Sequence, residues 1–119
     1  MYGYGFVESL TIIFLYNATG YIPILGNYGL QTQPHKNAIV KELVSNETWG
    51  LVTYKGGSQP MPPDVFVYAP DKSDFFFCEV KGPSDRLRAP QVKYFQQIQE
   101  TSGKLVYTVK YRFAPFNKK

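Results

Sequence analysis

Several residue types that build common functional sites are scarce in this chain of 119 residues. It contains one cysteine, Cys78, so it can form neither an internal disulfide nor a cysteine-rich zinc site. It contains one histidine, His35, which excludes a histidine-rich metal cluster. With one cysteine and one histidine, the composition disfavours catalysis by a cysteine–histidine pair or a serine–histidine–aspartate triad. A site built from carboxylate oxygens remains open.

Charge is nearly missing from the first part of the chain. Residues 1–35 hold one charged group, Glu8, and all thirteen lysines and arginines follow from Lys36 onward, in a chain of net charge +4. The apolar segment Phe6–Leu25 contains Glu8 and Pro23, and no basic flank precedes it. We interpret it as a helix that is buried or faces a partner, rather than as a membrane span or signal peptide. An intracellular, reducing environment is expected.

Hydrophobic periodicity and turn residues divide the rest of the chain into alternating helices and strands. An apolar helix is predicted over Phe6–Asn17. From residue 34 the sequence predicts a helix at Pro34–Asn46 and then three strands, at Trp49–Tyr54, Asp64–Tyr68 and Phe75–Val80. A second helix follows, with Pro90 in its first turn and its end at Gly103, and the last strand is Lys104–Lys110. The second and third strands should form a hairpin. The sequence therefore predicts one α/β domain of order α-β-β-β-α-β behind an extra N-terminal apolar helix.

Two charges end the apolar stretch FFFCEVK, Phe75–Lys81, without a turn before them. Glu79 and Lys81 lie two residues apart in a strand and so point to the same face, and Asp64 begins the neighbouring strand. One interpretation is a structural ion pair with Asp64 as a turn residue. The other is a Mg²⁺ or Mn²⁺ site, in which two carboxylates and the Val80 carbonyl hold the metal while Lys81 assists phosphodiester hydrolysis.

The order of these residues resembles the PD-(D/E)xK nuclease superfamily. Pro63-Asp64 is followed by Glu79-Val80-Lys81 and then by Gln91 in the next helix. More closely, EVKGPSDRLRAPQ is similar to the VRR-NUC branch, the domain type of the Fanconi-associated nuclease and of stand-alone viral and bacterial junction-cleaving enzymes. The resemblance covers about residues 35–112. It implies a restriction-endonuclease-like core, with a mixed central sheet flanked by helices.

The resemblance also implies individual roles. Asp64 and Glu79 would be metal ligands, Lys81 the catalytic lysine and Gln91 a glutamine beside the site. Glu42 is a possible additional acid, in place of a glutamate that many members carry in the first core helix. Met61 stands where members commonly have glycine. The basic residues expected to contact DNA phosphates are Lys36, Lys55, Arg86, Arg88 and Lys93.

The expected function is metal-dependent, structure-specific cleavage of DNA, at branched or Holliday-junction substrates and in DNA repair. A homodimer is expected, because the small stand-alone members are dimers. Residues 1–34 would then form a dimer interface or complete the monomer's core, and residues 35–119 would be the nuclease core. The alternatives are a nuclease-fold module that binds DNA without cutting it, and a nuclease acting on RNA or single strands.

Overall fold

The computed structural model describes residues 16–25, 34–53, 61–82 and 85–110. Its elements, in chain order, are β1 (Ile22–Leu25), α1 (Pro34–Leu43), α2 (Asn46–Val52), β2 (Val65–Tyr68), β3 (Phe75–Lys81), α3 (Ala89–Ser102) and β4 (Val106–Lys110). Residues 16–19 are helical and end at Gly20, which has a positive φ of 75°. The rest of the predicted N-terminal helix lies outside the described residues. None of the described helices is long and apolar enough to cross a membrane.

The four strands form one mixed sheet in the order β1-β2-β3-β4. The first two pairings are antiparallel, and β4 pairs parallel to β3 after the chain has passed through α3. The two central strands are almost wholly buried, which accounts for their continuous apolar runs. The predicted α/β class, mixed sheet and β2–β3 hairpin are confirmed.

The strand predicted at Trp49–Tyr54 is wrong, because most of it belongs to helix α2. Ser45 caps that helix, and its hydroxyl accepts a hydrogen bond from the Thr48 amide at 3.1 Å. Thr48 and Val52 are buried one helical turn apart. Val52, a β-branched residue of the predicted strand, therefore lies with Thr48 on the buried face of a short helix.

Ile22–Leu25 supplies a strand that the sequence assigned to the N-terminal apolar segment. This strand, β1, pairs with β2 at the edge of the sheet, where Pro23 costs no hydrogen bond in the sheet interior. The observed order is therefore β-α-α-β-β-α-β. The sheet still has four strands, because β1 replaces the strand wrongly predicted at Trp49–Tyr54.

The two faces of the sheet carry separate apolar clusters. On one face Phe66, Phe75 and Phe77 pack with residues of all three helices, including Phe95 and Ile98 of α3. The opposite face carries the buried residues Val65, Val67, Cys78 and Val80. Cys78 thus lies on the face opposite Glu79, as the alternation of the strand predicts. Helix α3 ends at Gly103 in the left-handed conformation, again as predicted.

Candidate active site

Strand register brings Asp64 to Glu79. Val65 of β2 pairs with Cys78 of β3, so Asp64, immediately before β2, lies opposite Glu79. Glu79 and Lys81 continue the face of β3 that begins with Phe75 and Phe77, and α3 covers that face. The aromatic core therefore ends in charged side chains beneath the first turn of a helix.

The two carboxylates are tied to each other's strands. The Asp64 amide donates a hydrogen bond to Glu79 Oε1 at 3.1 Å, and the Val80 amide donates one to Asp64 Oδ2 at 2.8 Å. Each carboxylate is thus fixed by the backbone of the opposite strand. This reciprocal pairing holds both acids at one end of the hairpin.

Lys81 and Gln91 close a triangle with Glu79. The lysine Nζ lies 3.3 Å from Glu79 Oε2 and donates to Gln91 Oε1 at 3.3 Å. The Gln91 amide group donates to the same Glu79 Oε2 at 3.3 Å. Gln91 Oε1 also accepts from the Arg88 amide at 3.4 Å, which is the capping-box contact expected of this position. Gln91 therefore joins the start of α3 to both charges.

Burial makes this carboxylate unusual. Glu79 is 5% exposed, and it is one of two buried polar residues among those described, with Thr48. Removal from water and the nearby charge of Asp64 raise the pKa of Glu79 to about 7, although Lys81 opposes the shift. A carboxyl group with its pKa near neutrality in a polar cluster is characteristic of functional sites, and buried ion-pair networks also produce it.

An open cavity of about 620 Å³ lies on the Lys81 side of the carboxylates. Its lining residues are Lys81, Asp85, Arg86, Leu87, Arg88 and Gln91. Asp85 orders the turn that enters it, because its carboxylate accepts from the Gly82 amide at 3.1 Å.

The structure does not bring every predicted residue to this place. Glu42 is exposed and pairs with Lys72 at 3.1 Å, in the β2–β3 turn at the other end of the hairpin. Lys93 is exposed on α3 and is not among the cavity residues. Lys36 lies in the first turn of α1, and its side chain is outside the described part of the chain, as is all of Lys55.

A second charged cluster marks the turn end of the hairpin. Asp74 accepts a hydrogen bond from Lys104 at 2.7 Å and one from the Tyr21 hydroxyl at 3.1 Å. Lys104 also lies over the Phe75 ring, 5.6 Å from its centroid. The Lys104 hydrogen bond is the main reason that the pKa of Asp74 is lowered. This cluster joins β1, the turn and the α3–β4 connection.

Sequence reasoning missed the backbone contacts that hold the acids in place. These contacts depend on the hairpin register, because Asp64 lies opposite Glu79 only when Phe66 pairs with Phe77. The four side chains can position an anion, exchange a proton near neutral pH and offer carboxylate oxygens to a hard cation. No group of three histidine, cysteine or acidic residues suited to a metal occurs in the described ranges.

The comparisons with known proteins give a distant structural likeness and no sequence relative. No protein-family model matches the sequence, and no curated protein is significantly similar to it. Among solved structures, the chain is similar to a crystal structure of paFAN1 bound to a 2-nucleotide 5′-flap DNA with a gap, with a TM-score of 0.41 and 18% identity. The alignment covers 96% of this chain and 16% of that chain, so this chain spans under a fifth of its neighbour. The VRR-NUC resemblance therefore stays a prediction.

Proposed function

We propose that this protein is a Mg²⁺- or Mn²⁺-dependent endonuclease that hydrolyses DNA phosphodiester bonds. The observation that carries the proposal is the meeting of Asp64 and Glu79 with Lys81 and Gln91, the latter two of which also line a cavity rich in cations. These are the four residues that the PD-(D/E)xK resemblance selects from the sequence. Strand alternation requires only that Glu79 and Lys81 share a face, whereas Asp64 comes from the start of the hairpin and Gln91 from α3.

The donor set fits a hard divalent cation. Asp64 and Glu79 offer carboxylate oxygens on adjacent strands, and the Val80 carbonyl is proposed as a further oxygen ligand. Mg²⁺ is commonly held by one or two carboxylates, with waters and substrate phosphate completing its shell, so two acids suffice. A bound cation of this kind supplies Lewis-acid chemistry, offsetting the negative charge that grows on the phosphate.

The side chains would divide the remaining work. Lys81, mostly buried beside Glu79, carries a positive charge at the point where the phosphate would gain negative charge. Gln91 fixes the lysine and the glutamate relative to each other, because it bonds to both. Asp64 is held by the Val80 amide, so its carboxylate is oriented before any ligand arrives. Such preorganisation lets the charges act without rearrangement during the reaction.

The finer assignment follows the sequence resemblance. We propose a VRR-NUC-type domain acting on branched or junction DNA, with residues 1–34 contributing to a homodimer interface. The arginines of the cavity support an anionic substrate, and backbone phosphates rather than base edges would be contacted. A nuclease-fold module that only binds DNA would share those cations, so cleavage is the property that separates the two functions.

The test is incubation of the protein with four-way junctions, flaps, duplex and single strands, with Mg²⁺, with Mn²⁺ and with chelator. We expect cleavage only with metal, lost in Asp64→Asn and in Lys81→Met. Both substitutions keep the side-chain size, and thermal unfolding of each variant checks that it folds. Equal DNA binding by the wild type and both variants, with no cleavage under any metal, would establish the binding module instead. Cleavage of RNA but not of DNA would show that the substrate of the nuclease is RNA.

A further inference from the structure

The cavity beside Lys81 is strongly cationic for its size. Three of its six lining residues are the cations Lys81, Arg86 and Arg88, against the single anion Asp85. One oxygen of Asp85 is already occupied by the Gly82 amide. Its volume of about 620 Å³ lies in the range of about 300–1,000 Å³ that is usual for ligand sites. A small anion or part of a larger one is the ligand class that this lining favours.

Arg86 and Arg88 lie where the chain enters helix α3. Leu87, which separates them, packs against the main core cluster, so the chain is anchored between two exposed arginines. Arg88 is the N-terminal cap residue of α3, and a guanidinium cannot accept a hydrogen bond from the first-turn amides. The cations therefore stand at the positive end of a fourteen-residue helix. The field of the helix and the side-chain charges act in the same direction.

The cavity is separate from the carboxylates. Lys81 and Gln91 line it, but Asp64 and Glu79 do not. Lys81 lies between the two places, because its Nζ contacts Glu79 on one side while its side chain borders the cavity on the other. A phosphate held at the carboxylates would therefore leave the part of the cavity beside Arg86 and Arg88 open to a second group.

We infer that the cavity is a subsite for the phosphate adjacent to the one that is cut. The substrate class would then be a nucleic-acid strand with at least two consecutive phosphates, rather than an isolated phosphodiester. This inference rests on the proposed nuclease function. It adds that Arg86 and Arg88 recognise the substrate without taking part in the chemical step.

Small chromogenic substrates give a direct test. One matched pair is thymidine 5′-(p-nitrophenyl phosphate) with and without a 3′-phosphate, and the other is the isomeric pair with the positions exchanged. We expect the second phosphate to raise kcat/KM by roughly ten- to hundred-fold in one of the pairs, as for a charge-assisted contact. The pair that responds gives the strand direction across the site.

The variants separate the subsite from the chemistry. Arg86→Gln and Arg88→Gln should each reduce the gain from the second phosphate, measured as the ratio of kcat/KM for the two members of the responding pair. Lys41→Gln is the matched control, because it removes one exposed positive charge next to Glu42, away from the cavity. It should preserve the full gain. Thermal unfolding confirms the fold of each variant.

A failure of the phosphate subsite can be distinguished from a failure of the proposed nuclease function. If the wild type hydrolyses both members of each pair equally well, or if the arginine variants keep the full gain, the subsite is overturned while the phosphodiesterase stands. If the wild type hydrolyses none of the compounds and no nucleic acid under any metal, the proposed function fails and the inference fails with it.

Discussion

The two ends of the β2–β3 hairpin carry the same chemical pair in opposite surroundings. At the strand end, Glu79 lies 3.3 Å from Lys81, and their side chains are 7% and 15% exposed. At the turn end, Asp74 lies 2.7 Å from Lys104, and their side chains are 41% and 36% exposed. The shorter ion pair is the more exposed one.

The difference shows that distance alone does not determine what an ion pair does. The hydrogen bond from Lys104 is the largest influence on Asp74 and lowers its pKa, although partial removal from water opposes the shift. At Glu79 removal from water is the larger effect and raises the pKa to about 7 in spite of the lysine. The Asp74–Lys104 pair is a partly exposed ion pair that joins the turn to the α3–β4 connection. In the buried Glu79–Lys81 pair, the carboxyl group has its pKa near neutral pH.

The largest expected difference between the two ends is in activity. Glu79→Gln should reduce metal-dependent cleavage by roughly 10²–10³-fold or more, because it removes one of the two carboxylates proposed to hold the cation that offsets charge on the phosphate. Asp74→Asn makes the same change at the turn end and should leave cleavage intact. Rates on one DNA substrate, measured with Mn²⁺ at pH 7.5, compare the two. Equal losses in both variants would mean that Glu79 acts only through stability.

The two ends should also respond oppositely to pH. The folded-state pKa of Glu79 lies above its ordinary value of 4.5, so the folded chain holds this proton more tightly than the unfolded chain. The resulting stability is fully present below pH 4.5 and is lost as the pH rises through 7. For Asp74 the pKa is lowered from 3.8, so its contribution is present above that value and is lost in more acidic solution.

Urea unfolding between pH 5 and pH 8 without metal measures the Glu79 effect. The wild type should lose on the order of 2–3 kcal/mol across this range from Glu79, and Glu79→Gln should lose correspondingly less. The comparison of slopes matters more than absolute stability, because the new amide group faces the donors of Lys81 and Gln91. Parallel pH profiles of the two proteins would contradict the assignment.

Gln91 should show an intermediate effect. Gln91→Ala removes hydrogen bonds to Glu79, Lys81 and the Arg88 amide, so we expect a loss of about 1 kcal/mol in unfolding free energy. Cleavage should fall about ten-fold, because the lysine and the glutamate lose their shared partner. Gln96, an exposed residue of the same helix, provides the matched control as Gln96→Ala. An equal fall in cleavage in Gln91→Ala and Gln96→Ala would show that Gln91 acts only through the stability of α3.

The sequence predicted which side chains meet at the strand end better than it predicted the order of helices and strands. Glu79 and Lys81 were identifiable because alternation along a strand places them on one face, which is a local rule, whereas Gln91 was selected by the family resemblance. Trp49 and β1 were misassigned because short apolar runs fit either a helix or a strand until tertiary packing selects one. The contact between Asp64 and Val80 depends on hairpin register, and the Glu42–Lys72 pair on how α1 sits against the turn. Neither follows from local pattern.

The smallest expected effect concerns Glu42, the acid that the sequence offered as an additional ligand. Its pair with Lys72 is about half exposed and lies at the turn end of the hairpin, so it should contribute at most about 1 kcal/mol. Glu42→Gln should leave metal-dependent cleavage and its metal concentration dependence unchanged, and Lys72→Met should match it in unfolding free energy. A ten-fold loss of cleavage in Glu42→Gln alone would show that this carboxylate reaches the site in the active protein, and the contrast between the two hairpin ends would fail.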